Sequence, residues 1–278
     1  MIALLLALGS SLAYGCADFL GGLGARKAHV LRTVMIAAPA SLAVELLLWP
    51  VLGASFSSAA LGWGAASGVA SAAAFALLYR TLAIGPMNVL SPVTALVSAA
   101  LPVGVGLLQG EHLAATGLMG LALALVAVVL VSAGHGAGAT RASRTALLLA
   151  FGAGTAIALQ LVFLHQAPSD SGVAPLIIGR AVSSAVTLTV AGLMHRRLGP
   201  ERPAYAMSAA AGVLDSVANL LFLFAARSGD LTVVAVVTAL YPAGTVVLAR
   251  GVLAERIQRG QLVGLGAAAV AVSLLALT

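Results

Sequence analysis

The feature that most constrains this chain is a succession of apolar runs, each about 20 residues long, separated by short polar connections. Ten can be read: 2–20, 30–51, 59–79, 86–108, 114–134, 145–165, 173–194, 204–226, 231–250 and 260–277. A helix of about 20 residues crosses about 30 Å of hydrocarbon. Within lipid, only helices and closed barrels satisfy their own backbone groups. These runs are too long and too continuous for the alternating strands of a barrel. A soluble fold is excluded by composition: 61% of residues are hydrophobic and 8% charged, against roughly 25% charged in ordinary globular chains. Surface keeps pace with size, so no soluble domain could hide that much apolar side chain. The expected fold class is an all-α polytopic membrane protein with ten transmembrane helices, its first partner being the lipid bilayer.

The placement of the cations orients those helices. Of the 14 Lys and Arg, Arg180 lies inside a run and Arg227 lies after an even-numbered one; the others sit at or beside the odd-numbered connections. The positive-inside rule then places the odd connections in the cytoplasm and both termini outside, in a multi-pass protein of the plasma or inner membrane. The net charge of +6 forms no basic stripe interleaved with aromatics, so no nucleic-acid partner is expected. The opening MIALLLALGSSLAYGCA has the look of a signal peptide. It lacks a basic leader, and Tyr14 sits awkwardly before Gly15-Cys16, so it is read as a retained first span. Cys16 is the only cysteine, which leaves no intrachain disulfide, and it is read as a packing residue.

The chain also repeats itself. ALLLALG at 3–9 returns as ALLLAFG at 146–152, VTAL at 93–96 returns at 237–240, and Glu111 returns as Glu255. LMGLALALVAVVL at 118–130 pairs with LVGLGAAAVAVSL at 262–274. Apolar identities are cheap in Ala/Leu-rich sequence; the Thr94/Thr238 and Glu111/Glu255 matches at one ungapped offset weigh more. The expected organisation is a five-helix unit at 1–134 and a second at 145–278, joined by HGAGATRASR at 135–144. Five is odd, so the second unit enters the membrane inverted. Inverted repeats are a hallmark of secondary transporters, whose substrate site lies near the midplane between the repeats. Because one chain holds both units, a monomer suffices.

This layout resembles the drug/metabolite transporter superfamily, EamA-type branch. The residues that carry the likeness are Ala83-Ile84-Gly85-Pro86 before the fourth helix, Gly110-Glu111 after it, Leu240-Tyr241-Pro242 in the ninth, Ala254-Glu255-Arg256 after that, and YGCADFLGG at 14–22. The resemblance implies a central cavity lined by helices 1–4 and 6–9, with helices 5 and 10 at the periphery. Many relatives carry Trp early in helix 1, where this chain has Tyr14.

Ionisable residues inside a membrane mark function by default. Asp215 falls at the centre of the eighth run, with Asn219 one turn on. Glu45 and Arg180 lie roughly 9–10 Å from the outer ends of their runs at 1.5 Å per residue. Either Glu45 or Asp215 is expected to neutralise Arg180. Asp18 lies near the inner end of the first run, where it either meets Arg26 or Lys27 at the interface or joins a cavity. Polar stripes with helical spacing are Ser11–Tyr14–Asp18, Ser41–Glu45, Arg180–Ser184–Thr187 and Thr238–Tyr241–Thr245, with Gln160 similar on helix 6. They line a wet cavity or hydrogen-bond helix to helix. Pro92, Pro102 and Pro242 are candidate helix kinks. Glu111 and Glu255 are read as caps or turn residues, and Gly120 and Gly264 as close helix contacts.

There is no HExxH, no nucleotide-binding glycine loop and no GxSxG, and the five His are scattered over different connections. Enzyme chemistry, cofactors and a metal site are therefore not expected. The function read from this pattern is secondary active transport. The resemblance implies export of small amphipathic metabolites, amino acids or drugs, with protons as the candidate coupling ion. An uptake carrier or exchanger, and a lipid-handling or structural membrane protein, are the alternatives. Asp215 is the expected carrier of a coupling proton or partner of a cationic substrate group.

Overall fold

The computed structural model describes residues 1–85, 87–132, 143–245, 248 and 259–275. Its helices are α1 (Ile2–Lys27), α2 (Val30–Leu52), α3 (Ser58–Ile84), α4 (Met87–Leu108), α5 (Ala115–Ser132), α6 (Arg144–His165), α7 (Ala174–Leu193), α8 (Tyr205–Ser228), α9 (Leu231–Thr238) and α10 (Arg259–Leu275). Six of them (α1, α2, α3, α6, α7 and α8) are long and apolar enough to cross a membrane, and four shorter apolar segments accompany them. The chain is a multi-pass α-helical membrane protein. Glu255, Arg256, Arg141, His135, Pro86 and most of the expected joint at 135–144 lie outside the described residues.

Side-chain size is distributed inside out. Leu5, Leu47, Val69, Leu148 and Leu193 face outward, while the buried set is dominated by Ala with Gly and Ser among it. Lipid is as apolar as leucine, so burial of large side chains drives little; close backbone approach through small residues does the packing. On α3, Gly64 lies against Pro175 of α7, where a Cβ would come 2.9 Å from the Pro175 carbonyl, and Gly68 lies against Gly179 one turn further on. Gly120 of α5 packs on Leu275 of α10 in the same manner.

Three helix limits differ from the sequence expectation. The first run was expected to stop at residue 20, before Gly21-Gly22, yet α1 continues to Lys27 with Gly21, Gly22 and Gly24 buried. Gly21 meets the Tyr79 ring, so these glycines make helix contacts and do not end the helix. Tyr79 itself is held because α3 also runs past its expected end, to Ile84. The ninth run was expected to be continuous to residue 250, yet α9 breaks at Ala239-Leu240 and helix resumes over 241–245. Pro242 has no N–H for the Thr238 carbonyl, and its ring clashes with that carbonyl. The chain tightens instead: Leu240 N–H donates to Val237 O (3.2 Å) and Ala243 N–H to Leu240 O (2.9 Å). Pro92 and Pro102 lie inside α4, which is not interrupted.

At one end of the bundle the connections are bonded together. Ser55 N–H donates to Ser171 O (3.0 Å) and Val173 N–H to Gly53 O (3.0 Å), tying the α2–α3 and α6–α7 connections. Arg227 donates to the carbonyls of Gly172 (2.8 Å) and Pro168 (3.1 Å). At the other end, Arg32 donates to the carbonyls of Leu198 (3.3 Å) and Gly199, tying the α1–α2 and α7–α8 connections.

Candidate functional site

Polar side chains from five helices meet in the middle of the bundle. On α8, Asp215 and Asn219 are one turn apart, and Asn219 Nδ2 donates to the Asp215 carbonyl at 2.8 Å. The Asp215 carboxylate holds the guanidinium of Arg180 on α7, with Oδ2 2.7 Å from Nη2. It also accepts from Ser41 Oγ of α2 at 3.5 Å. Arg180 Nη1 donates to Ser71 Oγ of α3 (2.7 Å), and its guanidinium lies 5.4 Å from the centre of the Phe75 ring. Gln160 Nε2 of α6 donates to Asn219 Oδ1 (2.7 Å). Ser67 Oγ of α3 reaches the Gln160 carbonyl (3.2 Å).

Of the two acids expected to compete for Arg180, Asp215 makes the pair, and it is the sole ion pair among the described residues. Glu45 is fully buried and accepts from Ser216 Oγ at 2.9 Å, while its second oxygen has no partner. The α2–α8 contact therefore carries two acid–serine bonds in exchange, Ser41 to Asp215 and Ser216 to Glu45.

Beside this cluster lies a cavity. Tyr14 and Asp18 of α1, Ser71 and Phe75 of α3, Ser98 of α4, Gln160 of α6, Asp215 of α8, and Thr238 and Tyr241 at the α9 break all line it, among apolar neighbours. Arg180 and Asn219 are not in that wall. They face a second, smaller space of about 180 Å³ together with Ser67, Ser71 and Gln160.

Asp18 overturns the interface reading. It is 7% exposed and lines the cavity. Arg26, its expected partner, donates to the Leu82 carbonyl instead (3.3 Å). The cause is the length of α1, which carries Asp18 well over two turns inside the helix end. Ser184 is buried with its hydroxyl unpartnered, in neither cavity wall. The broader expectation of a cavity lined by helices 1–4 and 6–9 is met in the larger wall by α1, α3, α4, α6, α8 and α9, without α2 and α7. Helices α5 and α10 contribute nothing to it and pack on each other. Sequence reasoning passed over Ser71 and Phe75. The Ser67–Ser71–Phe75 spacing on α3 was the available signal, hidden in a run of small residues.

Glu111 was read as a cap, and it caps a different helix from the one it follows. Its carboxylate accepts from Leu231 N–H (2.6 Å) and Thr232 N–H (2.9 Å), the first turn of α9. That turn carries unpaired donors and the positive end of a helix dipole, and its own N-cap, Asp230, makes no capping bond.

The model of the EamA-like transporter family matches residues 144–277. Residues 144–277 belong to the EamA-like transporter family. That match, over just under half of the chain, supports a membrane transporter of the drug/metabolite transporter superfamily. No curated protein matches the sequence. A solved structure titled "Crystal structure of protein" is similar to this chain with a TM-score of 0.77 and 14% identity, covering 99% of this chain and 96% of the other. At that identity the likeness is one of fold, and it extends over both halves. The EamA-like half supplies Gln160, Arg180, Asp215, Asn219, Thr238 and Tyr241. The half before it supplies Tyr14, Asp18, Ser71 and Phe75.

Proposed function

We propose that the protein is a secondary active transporter that exports small amphipathic metabolites by alternating access around the central cavity, coupled to protons through Asp215. The observation that carries this reading is a buried, ion-paired carboxylate placed in the wall of a cavity that both halves of the chain line. The ion pair gives Asp215 two competing partners, Arg180 and a proton, so occupancy of the cavity and proton binding can exclude one another.

The contact pattern supports two units related by inversion. Helix α1 packs on α8 as α6 packs on α3, α2 packs on α8 as α7 packs on α3, and α5 packs on α10. Exchanging each helix with the one five places along maps the first four pairs onto one another and the α5–α10 pair onto itself. Two arrangements of such halves give outward- and inward-open states of similar energy. The cation bias sets the odd connections in the cytoplasm and both termini outside.

The test is flux into proteoliposomes, with candidate amines, amino acids and small aromatic metabolites supplied with and without a pH gradient. Accumulation that follows the gradient supports the reading. If no solute moves above protein-free vesicles, the transport reading fails; if solutes move without regard to the gradient, the coupling fails.

A further inference from the structure

We infer that the cavity selects a primary organic ammonium borne on an apolar or aromatic body, with Asp18 as its counter-charge. This rests on the reading of the cavity as the solute site and goes beyond it, because it commits to the charge of the solute.

The charged residues in the larger wall are Asp18 and Asp215, and no Lys, Arg or His is among its lining residues. Arg180 does not correct that imbalance from within. Its guanidinium is held by Asp215 and Ser71 and lies over Phe75, and it faces the smaller space behind the wall. The Arg180–Asp215 pair sums to zero, so Asp18 sets the sign of the cavity. Asp18 forms no ion pair among the described residues, and the nearest basic side chain along α1, Arg26, is engaged elsewhere.

Independent of the acids, two buried hydroxyls in the same wall lack partners: those of Tyr14 and Thr238. Thr238 is 3% exposed, so water outside the bundle does not serve it. Buried hydroxyls without partners in a native fold call for an occupant. Their oxygens accept hydrogen bonds from N–H groups, and a primary ammonium brings three such donors with one positive charge. The Tyr14 and Tyr241 rings stand edge to face with centres 6.5 Å apart, and Phe75 lines the same space. Aromatic faces attract cations and repel anions. The rest of the wall, Ala74, Leu78, Ile157, Leu161 and Ala235, is apolar and suits the body of the solute. A carboxylate-bearing solute would meet two acids and find the one guanidinium already taken.

The test is binding of one aromatic series to the purified full-length protein: phenethylammonium, 2-phenylethanol, 3-phenylpropionate and phenylalanine. Phenethylammonium is expected to bind about tenfold or more tighter than the neutral and anionic analogues. Asp18→Asn should erase that margin and Asp18→Glu should keep most of it, both with the elution profile of the parent. The inference is overturned if the neutral or anionic analogue binds as tightly, if phenylalanine binds more tightly than phenethylammonium, or if Asp18→Asn keeps the margin. Should the variant fail to fold, the analogue series on the parent protein still decides. Flux of the same solutes separates the two claims. Movement of 3-phenylpropionate without phenethylammonium sinks the charge assignment and leaves transport standing. Absence of flux for every solute sinks the transport reading, and the binding series still judges the charge.

Discussion

Arg180 is 3% exposed and its carboxylate partner 10% by side chain, so neither charge can turn to solvent when the other is removed. Breaking a buried pair from one side leaves an uncompensated charge and costs about 3–5 kcal/mol. Arg180→Met should therefore lower stability in detergent by about that much, and Arg180→Met with Asp215→Asn should recover most of it, as read by thermal unfolding. Asp215→Asn alone keeps the shape and the Ser41 contact but strands the Arg180 charge, at a comparable cost in stability. It is expected to remove pH-driven accumulation while leaving the protein folded and inserted. Glu45→Gln keeps the oxygen that Ser216 bonds and lies outside both cavity walls, so gradient-driven flux should survive it. The reverse outcome for these two acids would move the coupling role to Glu45. At this scale the sequence located the charges and left their pairing open. Helical spacing fixes which residues share a face; it does not fix how one helix is rotated against the next, and that rotation chose Asp215 over Glu45. Asp18 was left open between interface and cavity for a related reason: the apolar run ends near residue 20, whereas α1 continues to Lys27 with Gly21 against the Tyr79 ring.

Helix α9 depends on a residue from the other half of the chain. Glu111 satisfies two N–H groups of its first turn, and removing a capping group costs about 0.5–2 kcal/mol. Glu111→Ala should destabilise by about that amount and loosen the start of α9, seen as faster amide exchange at Leu231 and Thr232; unchanged exchange there would show the cap to be dispensable. The far end of the same element is broken at Pro242, beside the cavity residues Thr238 and Tyr241. Broken helices put irregular backbone where it lines a cavity, the place a membrane protein tolerates it. Gly15 of α1 admits this break: a Cβ there would stand 2.6 Å from the Tyr241 carbonyl. The proline was legible as a kink. That it would interrupt α9 while Pro92 and Pro102 left α4 whole was not, because the outcome depends on what neighbouring helices offer the freed backbone.

Across the whole molecule, the apolar runs and their order were legible because lipid leaves the backbone few options. The solute, the direction of transport and the joint of the halves are not written in that periodicity. Under the proposed orientation Arg227 is the exception among the basic residues, and it binds the carbonyls of Pro168 and Gly172, a staple between connections. In a Cys16→Ser background, Pro200→Cys should react with an impermeant maleimide only after permeabilisation, and Ser169→Cys should react in intact cells; the opposite pattern would invert the topology. The central claim is that one cavity, shared by both halves, opens to each side in turn. Ala235 lines that cavity, is 2% exposed and brings no charge or hydroxyl to it. The most direct measurement is the labelling of Ala235→Cys, in the Cys16→Ser background, by an impermeant maleimide applied to right-side-out and to inside-out vesicles. The account predicts labelling from both sides, slowed in both by a transported solute. Labelling from one side alone, or from neither, would contradict it.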